Sequence, residues 1–137
     1  MKVLETMDLA YSPDGKLLAV ASALGFAQVF DTDTWSERVK LLGYLVAVKS
    51  LAFSPNGRRL ATGSDGREGL RLWDTESWQD VLTLEGANEG GFQILYSPDG
   101  KRIGVMGATG SLLVWSAPSW EEVEAVESRQ QQMSAGQ

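Results

Sequence analysis

The stretch that decides the fold is Ser12-Pro13-Asp14-Gly15, because it returns as Ser54-Pro55-Asn56-Gly57 and again as Ser97-Pro98-Asp99-Gly100. The successive offsets are 42 and 43 residues. Proline at the second position presets a negative φ, and glycine at the fourth accepts a positive φ, so the tetrad suits a tight turn between two strands. The sequence therefore predicts three equivalent hairpins.

Other landmarks keep the same spacing. Phe30-Asp31 recurs as Trp73-Asp74 and as Trp115-Ser116. A tryptophan follows five residues after each of these aromatics, at Trp35, Trp78 and Trp120. Repeats of this length are typical of four-stranded sheets arranged around a common axis. No segment shows a helical period, so the fold class predicted is all-β.

Each repeat divides into four predicted strands separated by turn residues. The first strands are expected at 6–11, 48–53 and 91–96, and the second at 17–22, 59–64 and 102–107. The third strands are expected at 26–30, 70–73 and 111–115, and the fourth at 36–41, 79–84 and 121–126. The prediction is thus three four-stranded antiparallel sheets.

The middle repeat carries a family resemblance. Its landmarks are Gly43-Tyr44, Leu51-Ala52-Phe53-Ser54-Pro55-Asn56-Gly57, Leu60-Ala61-Thr62-Gly63-Ser64-Asp65 and Leu70-Arg71-Leu72-Trp73-Asp74. These resemble the WD-repeat β-propeller family, and with the other two repeats the resemblance extends over residues 1 to 126. It implies three propeller blades, at 1–43, 44–86 and 87–126. The residues that follow, 127–137, are polar in composition, which predicts a disordered tail.

Three blades imply an incomplete ring or one completed by oligomerisation, since propellers typically close with four to eight blades. The end blades then need further cover: missing blades of a longer protein, or further copies of the chain. The favoured interpretation is the C-terminal part of a longer, bacterial propeller. Self-assembly of two or three copies and an open arc are the alternatives.

The chain also departs from the family pattern. The family usually has Gly-His where this chain has Gly43-Tyr44 and Gly86-Ala87. The family's buried network of Trp, Ser or Thr, His and Asp is therefore expected to be incomplete in every blade. Blade packing is expected to depend more on apolar contact, because a partly built polar network leaves costly unpaired groups.

Composition excludes several classes of function. Twelve Lys and Arg against 18 Asp and Glu give a net charge of −6, which disfavours binding to nucleic acid or to an anionic membrane. The absence of cysteine and histidine removes thiolate sites, disulfides and the usual general base. No apolar run approaches the roughly 20 residues of a membrane span. We expect a cytoplasmic protein without catalytic residues, metal or cofactor.

Three motifs allow a chemical interpretation, and each has a structural one that is favoured. The glycine clusters at 63–66 and 107–111 fit hairpin turns better than phosphate loops, which need a following helix and a lysine. Asp31-Thr32-Asp33 and Asp74-Thr75-Glu76 could hold a hard cation, but Asx turns explain both. The tryptophans at 35, 78 and 120 are expected to pack on the sheets.

Comparison of the repeats indicates a binding surface. Leu9, Leu51 and Ile94 share one position and stay apolar, so they serve the fold. Two residues earlier the chain varies between Met, Lys and Phe, a mixture that suits protein recognition. The predicted partner-binding rim comprises Glu5, Met7, Ala47, Lys49, Gly90 and Phe92. Ordinary surface variation is the alternative for these residues.

The predicted function is a non-catalytic protein–protein interaction scaffold, as part of a larger bacterial signalling protein. Two alternatives stay open at this point. One is a self-assembling propeller that binds a small ligand in its channel. The other is a fragment of a propeller enzyme whose catalytic residues lie elsewhere.

Overall fold

The computed structural model describes residues 5–44, 46–64, 69–84, 91–107 and 110–116, with 125, 128, 129 and 132 as isolated positions. Within these residues the chain forms eleven β-strands. They are β1 Thr6–Tyr11, β2 Leu17–Ser22, β3 Phe26–Asp31, β4 Glu37–Leu41, β5 Val48–Phe53, β6 Arg59–Ser64, β7 Leu70–Asp74, β8 Asp80–Leu84, β9 Gly91–Tyr96, β10 Arg102–Gly107 and β11 Leu112–Ser116. Each bound lies within one residue of its prediction.

The last predicted strand, at 121–126, lies outside the described residues apart from Ala125, which is helical. The predicted tail at 127–137 also lies mostly outside them; its described residues Ser128, Arg129 and Gln132 are helical too. In the part of the chain that the structure describes, no helix is long and apolar enough to span a bilayer.

The strands form three antiparallel sheets in chain order. Sheet 1 is β1-β2-β3-β4, sheet 2 is β5-β6-β7-β8, and sheet 3 is β9-β10-β11. The first strands pack side by side, β1 against β5 and β5 against β9. They therefore make a common inner edge, with β4 and β8 at the opposite edges. The predicted all-β fold is confirmed, with three strands described in sheet 3 and a ring that three sheets leave open.

The tetrad forms the same turn in each sheet. In the first copy the Gly15 N–H donates to the Ser12 carbonyl (2.9 Å), and the Ser12 hydroxyl donates to Asp14 Oδ1 (2.7 Å). The Lys16 N–H donates to the same carboxylate at 3.0 Å. This N–H, followed by the Ser12 hydroxyl, holds the pKa of Asp14 below its ordinary value. The glycines at 15, 57 and 100 have φ of 74°, 73° and 73°, as the sequence predicts.

The turns of neighbouring sheets touch one another. A Cβ built on Gly57 would lie 3.6 Å from Pro13 Cδ, and one built on Gly100 would lie 3.6 Å from Pro55 Cδ. Each proline therefore packs on the glycine of the next tetrad. The three turns recur at matching places and form a continuous row along one end of the stack.

Two apolar layers hold the sheets together. Between sheets 1 and 2, small side chains such as Ala19 and Ala27 meet bulky ones such as Leu60 and Trp73. Between sheets 2 and 3, the large aliphatic side chains of Leu70 and Leu72 meet those of Ile103 and Val105. Burial of these side chains is the main term that stacks the sheets.

A polar network is embedded in the first layer, centred on Trp73. The indole N–H donates to Thr62 Oγ1 and to Tyr44 Oη, both at 3.0 Å, and the two hydroxyls are 2.5 Å apart. The Arg71 guanidinium lies 5.1 Å from the centre of the Tyr44 ring. Tyr44 thus occupies the histidine position of the resembled pattern and supplies an oxygen in place of a nitrogen.

Sheet 2 therefore adds a polar cluster of three side chains to the apolar contacts on which blade packing is expected to depend. In the first repeat, Val20 and Phe30 stand where Thr62 and Trp73 stand in the second. Val20 and Phe30 have no polar side-chain atom that needs a hydrogen-bond partner, so this position in blade 1 packs through apolar contact alone.

Candidate functional site

The rim positions coincide with an irregularity of the inner strands. In β1 the pairing with β2 steps from Thr6 to Asp8 and skips Met7. In β5 it steps from Val48 to Ser50 and skips Lys49. In β9 the register shifts between Gln93 and Gly91, which skips Phe92. All three strand positions lie at register shifts of the β-bulge type, where an extra residue leaves the ladder.

The bulges account for the variation that the sequence shows. A bulge residue is released from cross-strand pairing, so its side chain is not constrained by packing against the neighbouring strand. Met7 is 46% exposed and Lys49 is partly buried. Because β1 packs against β5 and β5 against β9, the structure brings the three bulges together at one end of the inner edge.

The remaining rim residues are placed less uniformly. Glu5 is exposed, has φ of 58°, and accepts the Ala23 N–H at its carbonyl (2.8 Å). Ala47 directly precedes β5 and is partly buried. Gly90 lies outside the described residues, and of Phe92 only the strand position is described.

Asp8, next to the first bulge, was missed by the sequence reasoning. Its Oδ2 accepts the Leu51 N–H of β5 at 3.1 Å, and its Oδ1 accepts the Leu9 N–H at 2.9 Å. The side chain therefore bridges the inner strands of sheets 1 and 2. Its counterparts, Ser50 and Gln93, are also polar. The recurrence of a polar residue at the same place in three apolar strands is the sequence signal that could have identified Asp8.

Comparison with known proteins agrees with this geometry. Residues 36–67 match the family described as WD domain, G-beta repeat. The WD repeat-containing protein SL1-17 of Schistosoma mansoni is 40% identical over 60 residues. Residues 36–67 thus match a WD repeat, and both similarities support a WD-repeat family for this chain. The aligned residues make up 44% of this chain, and the chain spans about a fifth of that relative, 20% of its length.

WD repeats generally mediate protein–protein interaction, and the three sheets of this chain fit blades of the WD type. The matched residues run from the turn before β4 through β6. They include Lys49 and Ala47 of the rim and the Tyr44 and Thr62 hydroxyls. The matches therefore support the WD-repeat resemblance suggested by the sequence.

At the other end of the blades, a cavity of about 500 Å³ lies between the turns of blades 1 and 2. It is lined by Ser12, Pro13, Asp14, Leu17, Asn56, Gly57, Arg58, Asp74, Thr75 and Glu76. Ser12 follows β1 and Asn56 follows β5, so the cavity is a full strand length from the bulges. It is separate from the candidate site.

The acidic motifs beside this cavity form Asx turns. Asp31 Oδ1 accepts the Asp33 N–H and Asp74 Oδ1 accepts the Glu76 N–H, each at 2.9 Å. The N–H of Asp33 and then the Arg38 guanidinium (2.9 Å) hold the pKa of Asp31 below its ordinary value. Within the described ranges no group of three or more acidic side chains could hold a metal ion.

The other two motifs follow the structural interpretation as far as they are described. The glycine clusters begin at the ends of β6 and β10, each of which pairs antiparallel with the strand that follows it, while residues 65, 66, 108 and 109 lie outside the described residues. Trp78 packs on the layer between blades 1 and 2, whereas Trp35 is half exposed. Trp120 lies outside the described residues.

Proposed function

We propose that this chain is a non-catalytic scaffold that binds a protein partner at the bulged ends of its inner strands. The observation that supports this is the coincidence of three β-bulges at Met7, Lys49 and Phe92 on neighbouring inner strands. Bulges are common where a sheet presents a side chain to a ligand. The family's general role in protein–protein interaction supports the same proposal.

The chemistry of the rim suits a mixed apolar and acidic partner surface. Met7 offers a flexible, polarisable anchor that adapts to irregular surfaces. Lys49 adds a positive charge, which selects and orients a partner carboxylate. Glu5, exposed on the same strand end, would repel a carboxylate placed too near β1. A partner segment with one acidic and one apolar side chain fits this arrangement.

The proposal includes a cytoplasmic location and membership of a larger signalling protein, both of which rest on sequence alone. The ligand-binding alternative would place a small molecule in the channel of a closed ring. The enzyme alternative would need catalytic residues from another part of a longer protein. The coincidence of the register shifts at the rim is the support for the scaffold proposal.

The test is a binding measurement with a charge-reversal pair. Peptides selected against the wild-type chain from a random display library are measured by fluorescence anisotropy against three proteins: wild type, Lys49→Glu and Lys101→Glu. Lys101 lies in the third tetrad turn, at the far end of its blade, and is exposed. We expect Lys49→Glu to weaken binding about tenfold or more, and Lys101→Glu to leave it unchanged.

A second variant, Met7→Ala, separates apolar anchoring from charge. Met7→Ala should lower the affinity for the same peptides, while the dependence of that affinity on salt concentration stays as in the wild type. Equal binding by the two lysine variants, or selection only of peptides that compete at the tetrad turns, would overturn the assignment of the rim.

A further inference from the structure

The two outer faces of the stack have the same design as the faces buried within it. Call the front face of a blade the one turned to the next blade, and the back face the one turned to the preceding blade. Blade 1 packs its front on the back of blade 2, and blade 2 packs its front on the back of blade 3. The front of blade 3 and the back of blade 1 are left at the two ends.

The front face of blade 3 is apolar and exposed. Leu112 is 71% exposed, whereas Leu70 and Ala27, at the same position in blades 2 and 1, are fully buried. Val114, Met106 and Leu95 surround it on the same side of the sheet, as the pairings Gly104 with Val114, Gly104 with Leu95 and Met106 with Leu112 require. All three are at least 46% exposed.

The back face of blade 1 is also apolar, and it is exposed in part. Leu9 is 57% exposed, while Leu51 and Ile94, its counterparts, are 3% exposed beneath the preceding blade. Tyr11 and Trp35 are also about half exposed. Leu18, Val20 and Phe30 form a buried cluster on the same side of the sheet, since Leu9 pairs with Val20 and Leu18 with Phe30.

We propose that the front of blade 3 binds the back of blade 1 in a second copy of this chain, and that two copies close a six-bladed ring through two such junctions. The chain carries both halves of an interface that it already uses twice internally. Two copies give six blades, within the usual range of four to eight, whereas three would give nine.

The available area favours closure over a single contact. At roughly 200 Å² of accessible surface for a large apolar residue, the seven half-exposed side chains of the two faces offer about 800 Å² at one junction. One junction therefore has about the size of an incidental contact, and two reach about 1,600 Å², the standard size of a stable complex. The inference goes beyond the proposed function, because it concerns the flat faces and not the rim.

The experiment uses sedimentation velocity and light scattering on the full 137-residue chain. Wild type should run as a species of twice 14.9 kDa. Leu112→Glu places a charge in the front face, and Leu9→Glu places one in the back face. Each should weaken dimerisation about a hundredfold or more, because an unpaired charge is buried at both junctions. Leu24→Glu, at an equally exposed leucine in the β2–β3 turn, should leave the dimer unchanged.

Mixing the two variants tests the head-to-tail arrangement. The intact front of Leu9→Glu can meet the intact back of Leu112→Glu, so one junction forms. We expect the mixture to associate about tenfold more tightly than either variant alone, though less tightly than wild type. Circular dichroism of each variant confirms that the exposed substitutions leave the fold intact.

Three outcomes would overturn the inference. A wild-type chain that stays monomeric up to several hundred micromolar would assign the two faces to another protein. A dimer that survives one of the two charge substitutions would be joined by other surfaces. A ladder of higher species would mean that the junctions do not close at two copies. Rim-variant binding data are unaffected by any of these results.

Discussion

Removal of the two hydroxyls around the Trp73 indole should destabilise the protein more than additively. Tyr44→Phe keeps the ring beside Arg71 and removes one acceptor, and Thr62→Val removes the other. Each single variant leaves the indole N–H with one partner at 3.0 Å. Each should therefore lower the free energy of unfolding by about 1 kcal/mol. The double variant leaves a buried donor unpaired, which adds about 1–3 kcal/mol.

The double-mutant cycle should therefore show a coupling energy of about 1–3 kcal/mol. Urea unfolding followed by far-ultraviolet circular dichroism measures the free energies, and tryptophan fluorescence is avoided because the indole environment changes. A control cycle pairs Thr62→Val with Tyr11→Phe, whose ring is half exposed on the other side of blade 1, and should be additive. If the first cycle is additive too, the three side chains do not act as a network.

Adding Trp73→Phe to the double variant extends the test. The resulting trio has the apolar chemistry that blade 1 uses with Val20 and Phe30. In the double variant, Trp73→Phe removes an indole N–H that has no acceptor. The substitution should therefore lower the free energy of unfolding by about 1–3 kcal/mol less in the double variant than in wild type. An equal cost in both backgrounds would show that the indole N–H is satisfied some other way.

Three further outcomes are expected. Trp73→Ala should lower the free energy of unfolding by about 3–5 kcal/mol, as truncation of a buried aromatic does, while Lys49→Ala should leave it nearly unchanged; equal melting temperatures would contradict the blade register. Gly57→Ala, at φ of 73°, should cost about 1–2 kcal/mol, whereas Gly104→Ala, whose added Cβ would meet Leu112 Cδ1 at 4.0 Å, should cost little in the same urea titration. The pKa of Asp14 is lowered in the folded protein, so the ionised carboxylate adds stability that is fully present above its unfolded pKa and is lost as the pH falls through its folded pKa. Asp14→Asn should therefore lose less stability than wild type in thermal melts taken between neutral and acid pH. An unchanged dependence of stability on pH would refute that contribution.

Strand positions followed from sequence because local signals agree. Each tetrad fixes a turn, and the apolar runs beside it have strand length, so strand bounds such as Val48–Phe53 were predicted to the residue. The bulge at Lys49 was not predictable in this way. A bulge adds one unpaired residue and is visible only once the partner strand is known. The variation at these positions was detected, but its cause came from the pairing.

Two other features lay beyond the sequence for chemical reasons. Tyr44 carries no sequence signal for a hydrogen bond to Trp73, because the resembled pattern has histidine there, yet an indole N–H needs only an oxygen or nitrogen acceptor. Leu9 was assigned to the fold together with Leu51 and Ile94, and it is the exposed member of the three. Its place at the end of the stack, and not its residue type, decides that difference.

The hydrogen-bond bridge that Asp8 makes between β1 and β5 bears on the design of inhibitors against the proposed partner-binding rim. Its carboxylate already takes the Leu51 N–H, a donor that an extended peptide would need in order to continue the sheet from β5. A mimetic that relies on main-chain hydrogen bonds must first displace that carboxylate. Compounds that copy side chains instead, one aliphatic and one anionic, can leave Asp8 in place and gain selectivity from Met7 and Lys49.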